Sequence, residues 1–74
     1  MKLTIAEASD IARRFAISSM GRDYAVIESI EPIEANKQWR VVVNVGVGSP
    51  DMKEVIIDDE TRNVVSFKEL RTNR

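Results

Sequence analysis

The chain has no cysteine and no histidine among its 74 residues, only three glycines and two prolines, and one Trp, one Tyr and two Phe. Without cysteine there is no disulfide and no thiolate nucleophile; without histidine there is no imidazole base, and the usual nitrogen and sulfur zinc ligands go with them. Carboxylates, hydroxyls and amines are the remaining reactive inventory. No catalytic residue, metal ligand or cofactor is implied by any spacing, so the expectation is a noncatalytic chain. Charge of one sign is also lacking: 11 Lys and Arg face 12 Asp and Glu, a net charge of -1. A polyanion is bound mainly by neutralising phosphates, so nucleic acid is not an expected partner. Nor is there a run near the ~20 apolar residues that span a bilayer, which makes a cytoplasmic chain without membrane partners the expectation.

A chain this short makes one domain, here residues 1–74 with residues 71–74 expected to fray, and buries only roughly 60% of its unfolded surface. Thr4-Ile5-Ala6-Glu7 has the form of a capping box and marks a helix start. Ile5, Ala8, Ile11, Ala12, Phe15, Ala16 and Ile17 then recur mostly at spacings of three and four, which predicts an amphipathic helix over residues 5–20 closed by Gly21. Asp10 and Arg14 fall one turn apart on its outer side and should pair.

The rest reads as strands. Residues 24–31 are rich in β-formers, with Pro32 placing that end at a sheet edge or bulge. A turn at Ala35-Asn36-Lys37, with Asn36 suited to positive φ, leads into the clearest period-two signal of the chain: Trp39, Val41, Val43 and Val45 on one face, Arg40, Val42 and Asn44 on the other. Strands at about residues 53–58 and 63–67 follow. Short connections favour antiparallel neighbours, so the predicted fold is α+β, one helix packed on a four-stranded antiparallel meander.

The candidate sites are few. Asp51, Asp58, Asp59 and Glu60 are the only carboxylate cluster; they lack the ligand alternation of a calcium loop, and read as a hairpin turn in which Asp58 accepts from backbone N–H groups while the others are solvated. Gly46-x-Gly48-Ser49 precedes Pro50 and a strand rather than a helix, so it reads as a connection and not a phosphate cradle. Arg13, Arg14, Lys68, Arg71 and Arg74 read as solvated surface. Tyr24 and Trp39 are the aromatic candidates for a ligand pocket between helix and sheet, Trp39 being expected in the core first. If Trp39, Val41, Val43, Val55, Ile57, Val65 and Phe67 face the helix, Val42, Ile56 and Val64 face away and form an apolar patch for a protein partner or a homodimer.

Taken together, Thr4, Glu7, Ala8, Ile11 and Ala12, then Trp39, Val41 and Val43, then Ile57, Asp58, Thr61, Val64 and Val65 resemble the PepSY domain family, with Arg62 standing where that family's turn usually has Gly. The resemblance implies a noncatalytic domain that binds or restrains a partner, peptidase inhibition being one suggested role. The chain is also similar to the gas-vesicle accessory protein O family over Trp39-Arg40-Val41, Pro50-Asp51 and residues 58–71. The reading that follows is a protein-interaction or regulatory module, the alternatives being a small-ligand or cation-binding domain or a gas-vesicle accessory protein.

Overall fold

The computed structural model of the chain describes residues 2–70; the expected fraying at 71–74 lies outside the described residues. One helix, α1 (Ile5–Met20), is followed by strands β1 (Val26–Ile33), β2 (Gln38–Asn44), β3 (Met52–Asp58) and β4 (Val64–Glu69). The strands pair antiparallel in the order β1-β2-β3-β4, and α1 lies across one face, over β1, β2 and β3. This is the α+β meander the sequence predicts. Among the described residues no helix is long and apolar enough to cross a membrane.

Local chemistry accounts for the helix limits. The Thr4 hydroxyl accepts from the Glu7 N–H at 3.1 Å and the Glu7 carboxylate accepts from the Thr4 N–H at 2.9 Å, closing the capping box. Gly21 adopts φ 64°, the left-handed conformation that ends a helix with least strain. Asp10 pairs with Arg14 and also with Arg13, each at 3.0 Å. Ala8, Ala12 and Ala16 are wholly buried, so the helix meets the sheet through methyl groups and approaches it closely. Ile5 is exposed, outside the stripe assigned to it from spacing.

The core is the inner face of β2 and β3. Val41, Val43, Val45, Val55 and Ile57 are fully buried, joined by Trp39 and Leu3. Each such aliphatic side chain contributes about 1.5–3 kcal/mol by leaving water. Phe67 packs against this cluster, and its ring meets that of Phe15 edge-on at 5.1 Å.

Strict alternation fails in both edge strands, for the same reason. In β1 the register shifts between Ile27 and Ser29, leaving Glu28 as an extra residue, so that Ile27 and Ile30, three apart, both pack on the core. In β4, Ile57 pairs with Val64 while Ile56 pairs with Ser66, leaving Val65 as the extra residue. Val64 therefore packs against the core and Val65 is 52% exposed, the reverse of the assignment made from spacing. The last strand also runs to Glu69, past the Phe67 limit read from the sequence.

Candidate functional site

The outward patch expected of Val42, Ile56 and Val64 does not form. Val64 belongs to the helix side because of the β4 bulge, Ile56 is half-buried, and Val42 is buried although no helix covers that face. What crosses the outer face is a row of charge, one residue from each strand. Arg40 reaches Glu31 at 3.5 Å and Glu54 at 2.5 Å, and Glu54 takes Lys68 at 3.7 Å. Glu54, at the centre of this row, is itself buried and is satisfied by both cations, Arg40 and Lys68.

Tyr24 and Trp39 are not brought together. Trp39 opens β2, while the Tyr24 hydroxyl, on an exposed side chain, donates to the Gly46 carbonyl at 3.2 Å beyond the other end of that strand. The run from residue 39 to residue 46 spans roughly 23 Å at strand rise. Trp39 is instead part of a polar latch. Its Nε1–H donates to Asp59 Oδ1 at 2.9 Å, and the same carboxylate accepts from the Leu3 N–H at 2.9 Å and the Lys2 N–H at 2.6 Å. Asp59 is buried, which corrects the reading of it as solvated: one buried carboxylate ties the N-terminal segment, β2 and the β3–β4 turn together. The bond from the Lys2 N–H is the main cause that holds its carboxyl below the ordinary value of 3.8, helped by Leu3 and Trp39 against the opposing effect of burial.

Asp58 behaves as the sequence reading says. Its Oδ1 accepts from the Glu60 and Thr61 N–H groups at 2.8 and 2.9 Å, Thr61 being the larger cause of its lowered pKa. Asp51 sits elsewhere, paired with Lys53 at 3.3 Å and Arg22 at 3.7 Å. Among the described residues, no three carboxylates converge in a way that could hold a metal ion.

The connection after β2 is tightly built. Asn44 Oδ1 accepts from the N–H groups of both Gly46 and Asp51, at 2.9 and 3.0 Å, folding residues 45–51 back on themselves. A Cβ at Gly46 would stand 2.0 Å from the Ser49 carbonyl oxygen, which is why glycine is required there.

A concavity lies between α1 and the start of β4, a groove of about 760 Å³ lined by Ile11, Arg14, Phe15, Arg62, Asn63, Val64 and Val65. Its floor is apolar and its charged lining is two guanidiniums. Arg14 is held by Asp10 at 3.0 Å and Arg62 by Glu7 at 3.7 Å. Such solvated pairs are worth about 0–1 kcal/mol and exchange readily. Arg62 adopts φ 69°, the left-handed conformation that disfavours a side chain. The resemblance marks Arg62 only as a departure from a family turn, and the sequence reads Arg14 as solvated surface; the fold lines one groove with both.

Beside that groove runs the free edge of β4. The Leu70 N–H donates to the Met52 carbonyl at 2.9 Å. In an antiparallel ladder the backbone groups alternate in direction, so Lys68 and Ser66 also bond toward β3 while those of Phe67 and Glu69 point away from the sheet. The opposite edge is less receptive. β1 carries Pro32, which has no N–H to offer, and the bulge at Glu28.

In comparisons with protein-family models, curated proteins and solved structures, nothing matches this chain.

Proposed function

We propose that the chain is a noncatalytic protein-binding module whose working surface is the β4 edge and the groove beside it. The observation that carries this reading is the coincidence of two features in one place: backbone N–H and C=O groups of Phe67 and Glu69 that have no strand partner among the described residues, and a groove with apolar lining at the start of that strand, where the Val65 bulge lies. An unpaired edge accepts an added strand through main-chain bonds, and an adjoining pocket selects among side chains. The role agrees in kind with the partner binding that the PepSY resemblance implies. It moves the contact from the sheet face, where ionic side chains already satisfy one another, to the sheet edge.

The test places a photo-crosslinking phenylalanine derivative at Val65 and, as a control, at Lys37 in the β1–β2 turn, with irradiation in native cells. A discrete adduct at position 65 that is missing at position 37 supports the reading. Equal labelling, or none at position 65, rejects it. Light scattering on the purified chain separates a second copy from a different protein.

A further inference from the structure

We propose that the occupant of the α1–β4 groove is an extended, acidic peptide segment of a partner protein, which adds a strand to β4 and directs carboxylates from alternate positions to Arg14 and Arg62. The proposal rests on the protein-binding reading and adds the chemistry of the partner.

The argument begins with what lines the groove. Ile11, Phe15, Val64 and Val65 provide its apolar lining, and among the described residues Arg14 and Arg62 are the charged ones that line it. Their side chains are 78% and 57% exposed, so their guanidiniums are available to a ligand without unfolding anything. Each is presently balanced by a helix carboxylate, from Asp10 and Glu7. An incoming carboxylate replaces one solvated pair by another, or shares the guanidinium, whose planar fork takes two acceptors at once. A basic segment would instead meet two like charges.

The backbone geometry selects an extended occupant. Only a strand brings N–H and C=O groups to bear on Phe67 and Glu69 at the spacing those residues present, and in a strand alternate side chains point to one face. A peptide with acidic residues at alternate positions therefore directs two carboxylates to the helix side of the sheet, where both arginines stand. The position of Arg62 adds to this. A turn residue at φ 69° is most easily glycine, and the chain keeps a long cationic side chain there, at the rim of the groove.

The experiment titrates the isotopically labelled full chain with a short acetylated peptide alternating Glu with Val, and with the same peptide carrying Lys for each Glu, following amide shifts. The Glu peptide is expected to shift Val65, Phe67 and Glu69 and to weaken as salt rises. The Lys peptide should bind about tenfold more weakly or not at all. The double variant R14E/R62E should reverse that order, both positions being exposed and tolerant of exchange. Glu69→Pro removes an outward N–H without breaking a ladder bond, and should abolish binding of the Glu peptide while leaving the fold intact. Equal affinity for the two peptides, or a preference unaffected by R14E/R62E, overturns the acidic assignment. Glu-peptide shifts confined to the arginine side chains, with inorganic phosphate giving the same shifts, overturn strand addition. No shift with any peptide, together with a Val65 adduct in cells, removes the acidic assignment but keeps the protein-binding role; absence of both removes the two together.

Discussion

The bulge in β4 is open to a direct test, because it exchanges the environments of two adjacent and chemically identical residues. Val64 packs against the core beside Ile57, whereas Val65 is 52% exposed. Threonine is nearly the shape of valine and has similar strand propensity, so Val→Thr at each site reports mainly the cost of placing a hydroxyl there. Mutational data put a buried, unbonded hydroxyl at roughly 1–3 kcal/mol. Val64 is only partly buried, which places Val64→Thr near the low end, at about 1 kcal/mol, while Val65→Thr should fall within about 0.5 kcal/mol of zero. For a domain of this size, 1 kcal/mol lowers Tm by about 4–8 °C. Urea unfolding followed by the fluorescence of the single tryptophan gives both values, with unchanged m as the check on two-state behaviour. If Val65→Thr is the more costly variant, β4 alternates without a bulge, Val65 faces the helix, and the groove that depends on the bulge is not formed.

Arg62→Gly relieves the left-handed residue and should raise stability by about 1 kcal/mol in the same assay while weakening the acidic peptide; a loss of stability would show that Arg62 is not strained. Thr4→Ala removes the helix cap and should cost about 1 kcal/mol by thermal circular dichroism, and an unchanged melting curve would count against the capping box. Asp59 has its carboxyl lowered in the folded chain, so its contribution is fully present above its unfolded value of 3.8 and is lost as pH falls through the lower folded value. Asp58 and Glu7 are lowered too, so the informative quantity is the difference from Asp59→Asn: the variant should be less stable near neutral pH, and the gap should narrow as pH falls below 3.8. A gap independent of pH would exclude a charged latch. Gly46→Ala, with its Cβ driven into the Ser49 carbonyl, should broaden or move the amide signals of residues 44–51, and an unperturbed spectrum would refute the close approach.

Much of the architecture is legible in the residues because local chemistry decides it. Thr4 and Glu7 have one economical way to satisfy each other, Gly21 one to end the helix, and the alternating valines of β2 have a single face that suits the core. The central strands, paired on both sides, obey that alternation from Trp39 to Val45 and from Val55 to Ile57. The edge strands do not. A bulge needs a partner on one side only, and nothing in Val-Val-Ser-Phe says which valine is the extra one; that is settled by which register lets Asn63 and Asp58 close the turn while Phe67 reaches Phe15. The candidate site was hidden in the sequence, since Arg14 and Arg62 lie 48 residues apart and no motif joins them. Asp59 was misread for a related reason: in a turn of three successive acids, only the approach of Leu3 and Trp39 distinguishes the buried one.

The latch at Asp59 also bears on the order in which the chain assembles. Every strand pairing in this meander joins sequence neighbours and closes a short loop, whereas the bonds from Lys2 and Leu3 to Asp59 span 57 and 56 residues. Loop closure costs entropy that grows with length, so the hairpins can form before the chain start is fastened. The latch should then be absent from the folding transition state, and breaking it should speed unfolding rather than slow folding. By that account Asp59 governs how long the molecule lasts once folded more than how fast it is made.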